Sequence, residues 1–598
     1  MLNTPYQNRR NSLSGLFFVP MRLCVLFILL LLVACQQNGG IISSGLSRPG
    51  NAIDVSIIYA PESELYMPQA IEEFNRAYAS GKNPVTGENL ASGERPVWVE
   101  GGPGSSGTVM QGIVNAIIAP NNVNVERPVI FQPSVSHWLA LANYQAGRQI
   151  FDLSDIRPTA LAPVVMAIWE SRLEAIRNTV GYQDIGWEEL LGVLYSENGW
   201  QDYGIPGGRR TVYYGHTDPY ISSTALSTLI AEFYAAARAN GFTGRRLGLE
   251  QVNDADVQEG VRQIEQLIRH YSSRTTEFKF YIAQGPEYLD FVALEENDLI
   301  FINQGKTDTT PPEKLVALYP KEGTFWHEHP IGIVNADWTT PEQREAARVF
   351  ADFMLTPDIQ RRIMENGFRP ANPDVPLDFP FVEENGVTPE GPPTVLDVPA
   401  PEVIAAIQQS WSFVKKQADL MLLIDISGSM EAEGKLEQAK QAAQAFIQNM
   451  ESTNRVGLAL FSENFEIRVP LDNLESNRQR LINNIVGLRA QGGTALYYSL
   501  QEAVEFMNQQ DETERIRAVV LLSDGADTSQ GGPTLNDALR SIAASRETLN
   551  PVIVIPVAYG ADADINALNS IARSSNTSVQ AGDPQNILQV LEIISSYF

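Results

Sequence analysis

The sequence is poor in the residue types that disulfide frameworks and many active sites require. Its 598 residues include two cysteines and five histidines. A disulfide scaffold is therefore excluded, and few histidines are present that could act as acids, bases or metal ligands. A Gly-x-Ser-x-Gly nucleophile elbow, a legible Ser/His/Asp set and a Walker phosphate-binding loop are all missing from the sequence. We therefore predict that the chain is not an enzyme.

Basic residues are also scarce relative to acidic ones. Lys and Arg number 43 against 71 Asp and Glu, which gives a formal net charge of −28. Such a surface repels nucleic acid and anionic headgroups but tolerates cations. We predict no nucleic-acid partner. The length exceeds what one hydrophobic core supports, so several domains are expected.

The apolar run Leu23–Ala34 is too short for a membrane-spanning helix, which needs about 20 residues. A cationic stretch without acids precedes it, which is typical of a signal peptide, here residues 1–34. The run ends in Leu-Val-Ala-Cys35, which resembles a bacterial lipobox. That resemblance implies that Cys35 becomes a diacylated N-terminus, anchored to a membrane and facing the periplasm or the cell exterior. Residues 35–52 are predicted to be a flexible tether.

A short apolar run that ends in polar oxygens occurs in the C-terminal third. Met421–Ile424 leads directly into Asp425, and Ser427 and Ser429 follow at alternate positions. This pattern predicts a buried parallel strand that feeds a loop, and loops at the carboxyl ends of parallel strands commonly bind ligands. One carboxylate and two hydroxyls are hard donors that suit Mg²⁺ or Ca²⁺.

This Asp-x-Ser-x-Ser pattern resembles the metal-ion-dependent adhesion site of von Willebrand factor type A domains. That family adds a threonine after a Gly-Gly turn and an aspartate after a later strand, and both are present. The matching positions are Asp425, Ser427, Ser429, Thr494 and Asp524. The resemblance implies a doubly wound, Rossmann-like parallel sheet over 416–598 and a site for Mg²⁺, or alternatively Ca²⁺ or Mn²⁺. It further implies that the two serines and, in the ligand-bound arrangement, Thr494 bind the ion directly. The aspartates act largely through water, and a protein partner supplies a carboxylate.

Strands and helices alternate from Ile53 onward, which predicts α/β structure. The loop Gly101–Gly107 satisfies G-x-G-x-x-G, but Glu126 precedes the next strand instead of ending it, unlike a dinucleotide site. The preferred alternative is an oxyanion site made by Ser105, Ser106 and backbone N–H groups at a helix N-terminus. Ser222 and Ser223 also open a helix, so the two loops are expected to form the walls of one cleft.

Residues 53–395 resemble a bacterial extracellular solute-binding protein of the two-lobed periplasmic type, near the sulfate- and molybdate-binding group. The motifs that carry the resemblance are the Gly-Ser-Ser-Gly loop, 128–134, 217–223, 319–323 and 367–370. It implies two α/β lobes over 53–370, hinge closure around a small solute or oxyanion, and a specific set of cleft residues. These are Ser63, Ser105, Ser106, Ser222 and Ser223.

Three local patterns have plainer interpretations. His327 and His329 share a strand face, but no third metal ligand is visible near them. Tyr281–Gly285 and Leu299–Ile302 are predicted to be interior strands. The Pro-rich, acidic segment 371–415 is predicted to be a semi-rigid, solvated linker along the second lobe, ending in a connecting helix.

Two functions remain open from the sequence. The first is a membrane-anchored lipoprotein that binds a protein partner through a Mg²⁺-dependent adhesion site, with a region that senses or presents a solute. The second is the solute-binding component of an ABC-type uptake system for a small oxyanion or organic solute, in which the type A domain docks or regulates.

Overall fold

The computed structural model describes residues 46–121, 125–206, 211–272, 275–510, 514–524, 527–546, 548, 550–560, 563–575, 577, 579–582, 587–595 and 598. The predicted signal peptide, Cys35 and most of the predicted tether lie outside these residues. Within the described part of the chain, no helix is both long and apolar enough to cross a membrane.

Strands and helices alternate along most of the chain. The strands are β1 (Ile53–Tyr59), β2 (Val97–Pro103), β3 (Ile130–Gln132), β4 (Arg157–Pro158), β5 (Ala160–Trp169), β6 (Tyr214–Thr217), β7 (Ile268–Ser272), β8 (Phe291–Glu295), β9 (Leu315–Leu318), β10 (Trp326–His327), β11 (Pro330–Ile333), β12 (Arg369–Pro370), β13 (Ala418–Asp425), β14 (Arg455–Phe461), β15 (Phe465–Asn473), β16 (Ile516–Ser523), β17 (Val552–Tyr559) and β18 (Gln580–Gly582). The helices are α1 (Met67–Ala79), α2 (Ser106–Ile118), α3 (His137–Ala146), α4 (Glu170–Val180), α5 (Trp187–Tyr195), α6 (Ser223–Ala239), α7 (Leu249–Val252), α8 (Ala255–Glu265), α9 (Thr275–Ile282), α10 (Glu296–Asn303), α11 (Pro341–Met354), α12 (Pro357–Glu365), α13 (Pro401–Val414), α14 (Lys435–Asn449), α15 (Leu474–Val486), α16 (Leu496–Asn508), α17 (Leu535–Arg546), α18 (Ile565–Ser574) and α19 (Ile587–Ser595).

Two sheets form the N-terminal part of the structure. The first has the strand order β2-β1-β3-β11-β4, and the second has the order β10-β5-β8-β6-β7, with β9 and β12 also paired to β5. The segments 157–169 and 326–333 each supply strands to both sheets. Two sheets joined by crossing segments form the two-lobed α/β arrangement that the solute-binding resemblance implies.

The third sheet has the order β15-β14-β13-β16-β17-β18. All its pairings are parallel except that of the edge strand β15, which runs antiparallel to β14. β13 lies between β14 and β16 and is buried along its whole length, because helices cover both faces of such a sheet and its strands are uniformly apolar. This confirms the doubly wound fold and puts the end of β13 at the centre of the sheet edge.

Two predicted interior strands are wrong. Tyr281 and Ile282 end helix α9, and Leu299–Ile302 lies within helix α10. Short buried apolar runs do not distinguish a strand from a buried helix by periodicity.

The segment 371–400 also differs from a solvated linker, because its side chains Val375, Phe381 and Val387 are buried in the core of the second sheet.

Candidate functional site

Asp425 ends β13 and is fully buried. Its Oδ1 accepts a hydrogen bond from the backbone N–H of Ser427 at 2.8 Å, and its Oδ2 accepts one from the hydroxyl of Ser523 at 2.7 Å. Burial raises the pKa of Asp425 to about 6, despite these hydrogen bonds to the charged form. A buried carboxylate with a raised pKa is stabilised by a nearby cation.

A chain of hydroxyls joins Asp425 to the second strand end. The Oγ atoms of Ser427 and Ser429 lie 3.0 Å apart, and the hydroxyl of Ser429 donates to Oδ1 of Asp524 at 2.7 Å. Asp524 directly follows β16, the neighbour of β13 in the sheet. Parallel pairing thus brings four of the five predicted metal-site residues into one connected group.

The fifth residue, Thr494, reaches the group through its loop. The N–H of Gly428 donates to the carbonyl of Gly492 at 3.0 Å, which holds the two loops together. Gly492 has a φ of +76°, in the left-handed region that glycine adopts without strain. The N–H of Thr494 donates to Oγ1 of Thr528 at 2.8 Å. These contacts hold the loop that carries Thr494 against the loop that carries the two serines.

Lys435 belongs to this site, and sequence reasoning missed it. Its ammonium donates to Oδ2 of Asp524 at 2.8 Å, and the residue is only 2% exposed. Nothing in the local sequence distinguishes this lysine from a solvated residue at the start of a helix. The donor set is therefore two carboxylates and three hydroxyls, with one carboxylate already paired to a lysine. Such hard oxygen donors fit Mg²⁺, Ca²⁺ or Mn²⁺.

The two serine loops meet around one small cavity. Ser105 and Ser222 are the N-caps of α2 and α6, and the helices begin at Ser106 and Ser223. Thr275, the first residue of α9, bonds the hydroxyl of Ser222 at 2.6 Å. The cavity has a volume of about 20 Å³, which is room for about one water molecule, and all five residues line it. Three helix N-termini with their dipoles converge there, which is an arrangement that favours an anion.

A direct backbone contact joins the two walls of this cavity. The N–H of Gly107 donates to the carbonyl of Ile221 at 3.0 Å. A Cβ on Gly107 would lie 1.9 Å from the carbonyl oxygen of Tyr220, so only glycine fits. Across the same boundary, the indole N–H of Trp138 donates to Oγ of Ser223 at 3.0 Å. The cleft is therefore narrow, and the loops of the two lobes touch.

Ser63 does not line the cavity, whereas its neighbour Glu62 does. The hydroxyl of Ser63 lies 3.0 Å from the Tyr66 hydroxyl and 3.1 Å from Nδ1 of His329. Burial raises the pKa of Glu62 to about 7, with Glu295 adding to the effect. Sequence reasoning missed Glu62, because a single acid before a helix carries no signal of its burial. Its carboxyl group is the ionisable group in the cavity wall.

His327 and His329 both bind the buried carboxylate of Glu295. Their ring nitrogens lie 2.7 and 3.0 Å from its two oxygens, and the other nitrogens contact Ser227 at 2.9 Å and Ser63 at 3.1 Å. Burial opposes ionisation of Glu295, but His329 and the two imidazole hydrogen bonds lower its pKa to about 2. Burial likewise opposes protonation of His329, yet Glu295 raises its pKa. These imidazoles are held in a hydrogen-bonded network.

Comparison with known proteins identifies two regions. Residues 141–388 match the profile of the bacterial extracellular solute-binding proteins, and residues 420–526 match that of the von Willebrand factor type A domain. The bovine calcium-activated chloride channel regulator 1 is 32% identical over 132 residues, which is 22% of this chain. The chain spans 15% of the length of that relative.

Two solved structures show further similarity. The sulfate-binding protein SubI from Mycobacterium tuberculosis is 18% identical, with a TM-score of 0.34, over 54% of this chain and 88% of that one. Proximal thread matrix protein 1 from the mussel byssus, solved with a zinc-occupied MIDAS motif, is 19% identical with a TM-score of 0.26, over 30% of this chain and 47% of that one. Both TM-scores are low, so the assignment depends on the family profiles. The chain combines a region of the bacterial extracellular solute-binding protein type with a C-terminal von Willebrand factor type A domain.

Proposed function

We propose that the protein is a membrane-anchored, extracytoplasmic lipoprotein without enzymatic activity that binds a protein partner through a metal ion. The residues that would hold the ion are Asp425, Ser427, Ser429, Thr494 and Asp524. Mg²⁺ is the leading candidate, with Ca²⁺ and Mn²⁺ as alternatives that share its preference for oxygen ligands. The observation that carries this proposal is the connected path Asp425–Ser427–Ser429–Asp524 at the centre of the sheet edge.

The charges of the group support an acidic partner. Asp425 and Asp524 carry two negative charges when ionised, and the Lys435 ammonium offsets one of them. A divalent ion would then leave the group with a net positive charge, because the remaining ligands are neutral hydroxyls. The bound ion would supply that charge to a carboxylate of the partner. The residues of this chain would hold and orient the metal ion.

Metal and carboxylate binding can be tested on the purified full chain. We expect Mg²⁺ to raise the melting temperature of the wild type and a labelled Asp-containing peptide to bind only with Mg²⁺ present. Ser427→Ala should abolish both effects, while Ser476→Ala, at a surface serine bonded to the Asn473 carbonyl, should leave them intact. Unchanged Mg²⁺ stabilisation and peptide binding in Ser427→Ala would refute the proposal.

A second candidate function is binding of a small oxyanion such as sulfate in the cleft, as part of an uptake system. The convergence of three helix N-termini and serine hydroxyls on one cavity supports it. Calorimetry with sulfate, in the absence of Mg²⁺, tests it. Binding to the wild type that is lost in Ser106→Ala and kept in the exposed control Ser80→Ala would favour transport, and no binding would remove this candidate.

The lipid anchor rests on the sequence around Cys35, and the domain limits 53–370, 371–415 and 416–598 are part of the same proposal. We expect the wild type to sediment with membranes and to carry acyl groups on Cys35 in mass spectrometry. Cys35→Ala should release the protein from the membrane fraction. A Cys35→Ala chain that stays membrane-bound would contradict lipidation at this residue.

A further inference from the structure

A cluster of potential metal ligands lies apart from the groups described above, at the junction of the second and third sheets. His216, Glu232 and Glu265 each place one ligand atom within 4.8 Å of the others. They come from three different elements, β6, α6 and the end of α8. His216 is 1% exposed and both glutamates are 0% exposed.

These buried polar atoms have few hydrogen bonds. The carboxyl group of Glu232 interacts with the carboxyl group of Glu265 and with the hydroxyl of Tyr214, and among the described residues it has no cationic partner within bonding distance. Oε2 of Glu265 accepts a hydrogen bond from the hydroxyl of Tyr271 at 2.8 Å. Buried carboxylates without a cationic partner are strongly unfavourable, so the cluster requires either a shared proton or a bound cation.

The cationic side chains nearby are bonded to other groups. The ammonium of Lys416 donates to the carbonyls of Gln266 and Ile268, both at 3.0 Å. The ammonium of Lys415 lies 3.3 Å from the carboxylate of Glu451. Both ammonium groups lower the pKa of Glu265 through space, but the bonds described for them go to other groups and not to the carboxylates of the cluster.

Neutral oxygens complete the surroundings. The hydroxyl of Tyr214 is buried and interacts with the carboxyl group of Glu232, and the hydroxyl of Thr228 is buried beside it. Thr228 precedes Glu232 by one turn of α6, so the two side chains lie on the same face of the helix. Two hydroxyl oxygens are therefore buried near the imidazole and the carboxylates of the cluster.

The protonation states of these groups agree with metal binding. Burial lowers the pKa of His216 to about 3, so its imidazole is neutral at pH 7, which is the form that binds metals. Burial raises the pKa of Glu265 to about 7 and raises that of Glu232 well above its ordinary value. A divalent cation would stabilise both carboxylates and reverse this shift.

We propose that His216, Glu232 and Glu265 bind one divalent transition-metal ion, with Zn²⁺ as the first candidate. One imidazole and two carboxylates form a three-ligand set of the kind that zinc accepts, and the ion neutralises both carboxylates. The imidazole disfavours Mg²⁺ and Ca²⁺, which prefer oxygen ligands. Metal–ligand bonds of about 2.0–2.2 Å in a tetrahedral site put ligand atoms roughly 3.5 Å apart. From separations of up to 4.8 Å, the ligand atoms thus need to approach one another by about 1.3 Å at most.

The position of the cluster indicates a structural role at the domain junction. The hydroxyl of Tyr271, which donates to Glu265, also accepts the backbone N–H of Lys416 at 2.9 Å. The ring of Trp411, on α13, lies 5.5 Å from that of His216 and 5.3 Å from that of Tyr271. Residues 411–416 lead directly into β13, which ends at Asp425. A metal here would brace the base of the type A domain against the solute-binding region.

The test is zinc stoichiometry in the purified full chain, with excess Mg²⁺ present to occupy the Asp425 site. After dialysis against a weak chelator, we expect about one zinc ion per wild-type chain and loss of at least tenfold in Glu232→Gln and in His216→Gln. His137→Asn is the matched control, because His137 is equally buried and unbonded, with a pKa of about 3, but is not part of the cluster. It should retain the zinc.

The wild type alone also decides the question if a variant fails to fold. X-ray absorption at the zinc edge should show a shell of nitrogen and oxygen ligands that includes one imidazole. Zinc-free wild type after expression and refolding with Zn²⁺, or equal retention of zinc by Glu232→Gln, would overturn the proposal. Either result would mean that the two carboxyl groups share a proton instead.

Discussion

The buried ion pair between Lys435 and Asp524 makes a quantitative prediction about the adhesion-type site. Lys435→Met removes the ammonium and keeps much of the length and apolar stem of the side chain. Asp524 is fully buried, so the variant leaves an uncompensated carboxylate. Breaking a buried pair in this way costs about 3–5 kcal/mol of stability. We therefore expect a clear fall in the melting temperature when Mg²⁺ is absent.

The same substitution should strengthen metal binding. The Lys435 ammonium is 2.8 Å from Oδ2 of Asp524, and Oδ1 of Asp524 is 2.7 Å from the Ser429 hydroxyl. An ion bound to that hydroxyl at about 2.1 Å would lie roughly 6 Å from the ammonium. Repulsion between a divalent and a single charge at that distance is about 5 kcal/mol with an effective dielectric constant of about 20. Desolvation and rearrangement offset part of this gain, so we expect Mg²⁺ affinity to rise about 10- to 100-fold, or about 1.4–2.7 kcal/mol.

Titration calorimetry and Mg²⁺-dependent melting curves measure both effects. The control is Lys440→Met on the same helix, because Lys440 pairs at 2.6 Å with the exposed carboxylate of Glu437. Lys440 is itself largely buried, but its partner carboxylate stays in water when the ammonium is removed, so no buried charge is left uncompensated. The Mg²⁺ affinity of the control should therefore change little. If folded Lys435→Met binds Mg²⁺ no more tightly than the wild type, the assigned role of Lys435 is wrong.

Three further predictions concern the solute-binding region. The raised pKa of Glu62, about 7 against an ordinary 4.5, means that its ionisation costs about 3 kcal/mol of folding stability above pH 7, a cost absent below pH 4.5. The ionised carboxylate in the cavity wall repels an anion, so sulfate affinity should fall as the pH rises through about 7 in the wild type. In Glu62→Gln the affinity should stay constant, and calorimetry at pH 6 and pH 8 checks both expectations. Gly107→Ala should abolish sulfate binding but leave Mg²⁺ binding unchanged, because its Cβ would clash with the Tyr220 carbonyl; retained sulfate affinity would show that the loop contact is dispensable. Glu295→Gln should lower the stability of this region by about 3–5 kcal/mol, because glutamine keeps one acceptor oxygen but removes the negative charge that two buried imidazoles share. Urea denaturation followed by Trp fluorescence measures the loss, and unchanged stability would contradict this role of Glu295.

The pattern around Asp425 shows how much of a functional site can be predicted from the local sequence. An apolar strand followed by alternating oxygens predicts both the element and the direction in which its loop points, because side-chain chemistry and strand period are local properties. The motif also predicts which later strand end must join it, and the parallel pairing of β13 with β16 agrees. The two serine loops were similarly legible as helix N-termini, since capping depends on the residues within one turn.

The burial of side chains and contacts between residues distant in sequence cannot be predicted in this way. The apolar runs at Tyr281 and Leu299 predict strands but form helices, because an apolar run carries no sign of which partner will cover it. Ser63 was placed in the cleft, and the structure instead bonds it to His329 and puts Glu62 in the cavity wall. The hydrogen bond of Ser63 joins residues 266 positions apart, which no local pattern can reveal.

The sequence by itself determined the chemistry available to this protein: an oxygen-rich strand end, two helices that begin at serines and an acidic composition. Only the tertiary structure decided which charges are paired. It buried Lys435 against Asp524 and brought His216, Glu232 and Glu265 together from three elements. The physical reason is that the electrostatic state of a side chain depends on desolvation and on neighbours that the fold supplies, and neither quantity is a property of the adjacent residues.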